Sequence, residues 1–279
     1  MKSLGYYNGK IGEVNELCAP ITDRAFYFGD GVYDAVMCRN NIPYLLPEHI
    51  LRLYHNCELL DIVPPMCKAE LASTICELVK MVDGEEKFVY FHVSRGSGIR
   101  SHTYGHTEGN LCIMIKPQGV DNVFEKMDTI LVPDLRYHLC YIKTLNLLPS
   151  VQAAQAAALR GCEEAIFHRD GIVTECSHSN VSILKDGALI TAPADEFILP
   201  GVTRAHLIQC AKSNGIEVCE RKYTTAELLS ADEIIVTSSS KLAKGVKTVD
   251  GVAVGGKDEA RLKILRDTLY SSYLNETNI

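Results

Sequence analysis

The chain has 279 residues, 47% hydrophobic and 23% charged, which suits two modest globular domains and excludes disordered and fibrous classes. Its 28 basic against 35 acidic residues leave a formal charge of −7, the wrong sign for displacing phosphate counterions, so nucleic acid is not an expected partner. No apolar run approaches the ~18 residues that span a bilayer, and eleven cysteines are scattered without a CxxC pair or a zinc-type spacing. With no apolar core behind Lys2, the expectation is a cytoplasmic protein with reduced thiols, no membrane partner and no metal.

In chain order, GVYDAVMC (31–38) is rich in β-branched and aromatic residues and predicts a strand. LLPEHILRLYHNCELL (45–60) and KAELASTICELVKMV (68–82) carry helical apolar spacing. KFVYFHVSR (87–95) and NLCIMIK (110–116) predict two more strands, so the first half is α+β. Pro, Gly and Asn in KPQGVDN (116–122) favour a linker, giving an N-terminal domain over 1–118, a linker at 119–122 and a C-terminal domain over 123–279. Beyond it, strand-like runs at 127–135, 163–168, 180–184, 217–222 and 232–238 alternate with helical stretches at 150–159 and 203–213, and a helix from about Lys257 to Tyr273 ends the chain.

Five segments could carry chemistry. GVTRAHLIQCAK (201–212) places Gly and Thr where a helix begins; its open amides and dipole suit a phosphate, although ordinary capping has the same signature. VTSSSK (236–241) sets three hydroxyls at a strand end, as an anion site or a solvated loop. Lys143 lies in the apolar run HLCYIKTLNLL, where desolvation would lower its pKa and ready it for a Schiff base, unless it snorkels to water. Glu175 sits in GIVTECSHSNVSIL among hydroxyls and an Asn, as a carboxylate that is buried and paired. Arg100 and His102 follow two glycines in VSRGSGIRSH and could face one anion, or simply face solvent.

Taken together and in order, these segments resemble the fold-type IV pyridoxal-phosphate enzymes, which include D-amino-acid aminotransferase, branched-chain aminotransferase and aminodeoxychorismate lyase. DRAFYFGDGVYDAV (23–36), EHILRLY (48–54), YFHVSRG (90–96), CYIKTLNLL (140–148), FILPGVTR (197–204) and IVTSSS (235–240) are most similar to the D-amino-acid enzymes, over nearly the whole chain. The resemblance implies a two-domain α/β (α+β) fold: a smaller N-terminal α/β domain, a larger C-terminal mixed α/β pseudo-barrel, and an active site between them. It implies pyridoxal 5'-phosphate joined to Lys143, with Glu175 at the pyridine nitrogen, Leu199 against the ring, and Arg52, Val202, Thr203, Ser238 and Ser239 at the phosphate. Tyr33, Arg100 and His102 would receive the substrate carboxylate. The implied reaction is ping-pong transamination between a D-amino acid such as D-alanine and a 2-oxo acid, in a homodimer. Branched-chain or (R)-amine transamination, the lyase reaction, and non-catalytic cofactor binding are the alternatives. Ala35 and Met37 stand where the D-amino-acid relative has Val and Lys, Thr144 replaces a Ser, and His178 interrupts a run of serines, which leaves the side-chain preference open.

Overall fold

The computed structural model describes residues 2–105 and 107–278. The chain forms two compact units. The first takes the chain up to Gly119, with Ile142–Asn146 and the segment from Asn275 onward; the second takes Val120–Tyr141 and Leu147–Leu274.

The first unit contains β1 (Leu4–Tyr7), β2 (Lys10–Gly12), α1 (Arg24–Phe28), β3 (Gly31–Arg39), β4 (Ile42–Pro43), α2 (Leu46–Leu59), α3 (Lys68–Leu78), β5 (Glu86–Ser94) and β6 (Asn110–Pro117). Its strands pair antiparallel throughout, in the order β2-β1-β6-β5-β3-β4. Strand alternation sorts the side chains. Val32, Asp34 and Val36 of β3, with Val89, Phe91 and Val93 of β5 and Leu111, Ile113 and Ile115 of β6, are buried. Tyr33, Tyr90, His92 and Cys112 take the other parity and are only partly buried. α2 packs on β3 and presents Ile50, Leu53 and Cys57 as its buried stripe. The helix expected to reach residue 82 stops at Leu78 and tightens into a 3-10 turn at Val79–Met81.

The second unit contains β7 (Met127–Pro133), α4 (Leu148–Leu159), β8 (Glu164–Arg169), β9 (Ile172–Cys176), β10 (Asn180–Lys185), β11 (Ala188–Thr191), α5 (Val202–Ser213), β12 (Val218–Glu220), α6 (Thr225–Ser230), β13 (Glu233–Thr237), β14 (Lys244–Val249), β15 (Val252–Ala253) and α7 (Glu259–Glu276). Its sheet runs β12-β11-β10-β13-β14-β7-β8-β9, with β15 on β14, mixing parallel and antiparallel pairs. The sheet curls, since the Cys176 amide at the end of β9 donates to Ser179 O just before β10 (2.8 Å). Apolar runs such as EIIVT exist because both faces of these strands are covered. Ile234 and Val236 enter one core with Ile166, Val173, Val181, Ile183 and Val246, while Ile235 points into another with Leu207, Ala211, Leu262, Leu265 and Leu269. A third layer seats Ala153 and Ala157 of α4 on Ile130, Ala165 and Phe167.

The sequence suggested one unbroken C-terminal body over 123–279, but residues 142–146 pack with the first unit. The cause is backbone pairing: Tyr33 N donates to Lys143 O (2.9 Å), Leu145 N donates to Gly31 O (3.0 Å), and Val32 and Thr144 form an antiparallel bridge. A short extended piece carrying Lys143 is thus stitched to β3.

Candidate active site

In the first unit, that stitching decides what Lys143 meets. Lys143 is half-buried, and its Nζ lies 4.4 Å from the centroid of the Tyr33 ring, which in turn stands 5.6 Å from the ring of Tyr90. β3 turns its next residue the opposite way. Asp34 has no exposure and accepts a two-point bond from Arg52 of α2, from Nε at 2.9 Å and from Nη2 at 2.8 Å, while His49 Nδ1 lies 2.7 Å from the same carboxylate. Burial alone would raise the Asp34 pKa; the Arg52 charge and His49 outweigh it and hold the carboxyl well below the usual range. Burial also lowers the His49 pKa, against the pull of Asp34.

Arg100 and His102 are exposed, on a loop after β5. Both rest on Phe28 at the end of α1: the Arg100 guanidinium carbon lies 5.2 Å from its ring centroid and the His102 ring 5.4 Å.

In the second unit, Glu175 is 5% exposed, and its carboxylate accepts from Arg136, Asn180 and the Leu199 amide. Arg136 Nη1 donates to Oε1, and Oε2 accepts from Asn180 Nδ2 (2.9 Å) and from the Leu199 amide (3.1 Å). Arg136 is fixed in turn by a two-point pair with Asp134 (2.9 and 2.8 Å) and by Phe197 O (3.1 Å). Burial works against the guanidinium charge, but Asp134 and Glu175 override it and raise the Arg136 pKa. The neighbouring hydroxyls serve a different carboxylate: Ser177 and Ser179 donate to fully buried Glu164, and His178 sits between Ser177 (2.9 Å) and Lys241 Nζ (2.9 Å).

Asn180 ties Glu175 to the start of α5. Its Nδ2 also donates to Leu199 O (3.0 Å), and a Cβ added to Gly201 would sit 2.0 Å from its Oδ1, so only glycine fits there. Gly201 is the N-cap of α5, and no side chain caps the helix. Its first turn, with Val202 and Thr203 buried, presents backbone N–H groups and the positive end of the dipole to an anion. Ser238 follows β13 just before a turn, its Oγ accepting from Lys241 N (3.2 Å) and lying 3.5 Å from Ser240 Oγ; Ser239 is partly buried. Among the described residues, no three His, Cys, Asp or Glu side chains gather as a metal site would require.

The model of the family described as amino-transferase class IV matches residues 31–249. The chain belongs to the class IV aminotransferases. A D-alanine aminotransferase of Bacillus licheniformis is 36% identical over 282 residues, 97% of each chain, and one of Listeria innocua is 38% identical over 253 residues, 88% of each. In structure, the branched-chain amino acid aminotransferase from Escherichia coli superposes with a TM-score of 0.88 at 21% identity, covering 100% of this chain and 96% of that one. For this class IV aminotransferase, sequence reasoning selected Arg52 and Glu175 without the residues that hold them. Asp34 carried one signal, as the only charge within the strand run GVYDAVMC. Asn180 was signalled only as the Asn near Glu175 in its segment, and His49, Asp134 and Arg136 carried nothing that distinguishes them from ordinary polar residues.

Proposed function

We propose that this aminotransferase uses pyridoxal 5'-phosphate to exchange an amino group between a D-amino acid, such as D-alanine, and a 2-oxo acid in a ping-pong sequence, as a cytoplasmic homodimer. The observation that carries the cofactor assignment is the staple made by Asn180, which joins a buried, hydrogen-bonded carboxylate to a glycine-started helix with no side-chain cap. A buried carboxylate beside a ring nitrogen favours the protonated ring, and an open helix start favours a phosphate, so these residues fit the group. Full-length relatives named for D-alanine, together with the Arg100 and His102 pair, support the D-amino-acid substrate.

When bound, the cofactor supplies an aldehyde to take up the amino group and a ring to absorb the electron pair left by the departing α-proton. Lys143 would hold the cofactor through Nζ, and the same amine would serve as the base and acid that moves the substrate α-proton. Glu175 would face the pyridine nitrogen, and Arg136 and Asn180 hold its carboxylate in place. Arg52, Val202, Thr203, Ser238 and Ser239 would hold its phosphate, and Leu199 would pack on its ring. Tyr33, Arg100 and His102 receive the substrate carboxylate, which sets which enantiomer turns its α-hydrogen toward Lys143.

Spectral titration of the purified holoenzyme tests this. D-alanine is expected to bleach the cofactor band and release pyruvate, with no response to L-alanine, L-leucine or (R)-phenylethylamine. A response to L-leucine or to the amine, with none to D-alanine, would overturn the substrate, and a colourless protein that takes up no pyridoxal phosphate would overturn the cofactor.

A further inference from the structure

Exposed arginine and histidine side chains on a loop lose much conformational freedom when they bind, unless the fold has already restricted them. Arg100 and His102 are exposed, yet the peptide between them is held from below. Arg24 of α1, 6% exposed, donates from Nη1 to the carbonyl of Ser101 (2.7 Å) while its Nε pairs with Asp30 (2.8 Å). Phe28, one turn further along α1, is touched by three cationic or imidazole groups at once: Arg24 at 4.8 Å, Arg100 at 5.2 Å and His102 at 5.4 Å.

The roots of the loop are tied to the same carboxylate. Arg95 pairs with Asp30 (2.9 Å), and its guanidinium carbon lies 3.7 Å from the centroid of the Tyr104 ring. Arg24 N donates to Gly96 O (2.9 Å), Gly98 N donates to Thr22 O (2.9 Å), and Gly96 holds a φ of +101° where a side chain would strike Glu108 O. α1 is itself fixed by Asp23, which caps it through Ala25 N (2.8 Å) and accepts from Ser94 (2.9 Å) and Asn110 (2.8 Å).

We propose that Arg24 and Phe28 are positioning residues for substrate recognition: they form a mount that presets Arg100 and His102 for a carboxylate ligand. The proposal rests on the function proposed above, in which those two residues grip the carboxylate. Neither Arg24 nor Phe28 touches substrate. Each acts on affinity through the loop, so the chemical step after binding is left alone.

The test follows the half-reaction of the holoenzyme with D-alanine in Arg24→Lys, Phe28→Leu and Phe28→Tyr, each also placed in an Arg100→Ala, His102→Ala background. Arg24→Lys keeps the charge beside Asp30 and loses the fork that reaches Ser101 O. It and Phe28→Leu are expected to raise the apparent dissociation constant for D-alanine roughly tenfold with the saturating rate little changed, and Phe28→Tyr, which keeps the ring, is expected to stay near wild type. In the doubly substituted background, Arg24→Lys and Phe28→Leu should have no further effect, because their action runs through the missing side chains. Unchanged affinity in both single variants, an equal loss in the background, or a loss confined to the saturating rate would overturn the mount. If Arg100→Ala, His102→Ala alone leaves D-alanine affinity untouched, the carboxylate assignment fails first; if that pair weakens binding and Arg24→Lys and Phe28→Leu do not, only the mount fails.

Discussion

At the scale of single residues, two side chains carry opposite kinds of risk. Lys143 is tethered by its backbone to β3, so its side chain can be truncated without disturbing that pairing. Lys143→Ala is therefore expected to fold, with a thermal midpoint near wild type, and to lose transamination by roughly 10³-fold or more in single-turnover assays, the scale of a lost acid–base and covalent group. Turnover within tenfold of wild type would remove Lys143 from its proposed role. Arg136 is the reverse case, because it neutralises Asp134 and Glu175 inside the second unit. Arg136→Ala takes the guanidinium from buried Glu175 and leaves Asp134 to Arg169 (Nε at 3.2 Å), and should cost about 3–5 kcal/mol in urea unfolding. A loss below about 1 kcal/mol, the scale of an exposed pair, would mean that the two carboxylates find water or protons instead. The two residues also differ in legibility. Lys143 interrupts an apolar run, an anomaly that composition exposes directly. Arg136 is one arginine among many, and its two-point pairing with Asp134, two residues before it, and its reach to Glu175 follow from how the chain folds back rather than from any local pattern.

At the scale of elements, patterns with a period were readable and patterns set by partners were not. The apolar spacing in 45–60 and 203–213 corresponds to α2 and α5 within a residue or two, and the branched and aromatic runs at 31–38, 87–95 and 110–116 correspond to β3, β5 and β6. α1 has only five residues, started by the Asp23 cap, and β14 reads KGVKTV, too short or too polar for periodicity to speak; β14 exists because β13 and β7 supply its hydrogen bonds. The join between β3 and α2 shows such a partner at work, in the Asp34, Arg52 and His49 cluster, and it predicts acid sensitivity. A carboxyl whose folded pKa is depressed contributes stability that is fully present above its unfolded value near ~3.9 and is lost as pH falls toward the folded value. His49, depressed from about 6.5, acts in the same direction in a higher window, since the unfolded chain takes up its proton first as pH falls. Stability should thus decline in two stages on acidification, below about 6.5 and again below about 4. Asp34→Asn is expected to be less stable than wild type at pH 7 and to show a shallower fall between pH 5 and 2, read as urea midpoint against pH; equal slopes in the two proteins would sink the assignment.

At the scale of the whole molecule, the sheet orders lay beyond the sequence. The nine-stranded order joins β7 to β14 across more than a hundred residues, a pairing that no local window records. The division of cysteines between surface and interior likewise emerges only from the completed fold, and it gives each unit its own internal reporter. Cys38 and Cys57 are buried in the first unit and Cys176 in the second, at 1% exposure or less, while Cys18 and Cys67 are exposed. Burial pushes the Cys38 thiol up to about 11 and Cys57 to about 12, and raises Cys176 well above its ordinary value, so few thiolates form there at neutral pH. Timed labelling with a disulfide reagent and mass mapping of the peptides is expected to mark Cys18 and Cys67 first. Cys38 and Cys57 should become reactive only at the urea concentration that unfolds the first unit, and Cys176 only at the one that unfolds the second, with all eleven modified in the denatured chain. Labelling of Cys176 as fast as Cys18 in the absence of urea would mean that the sheet carrying Glu175 opens readily, which would count against the role proposed for Glu175 as a buried, fixed carboxylate.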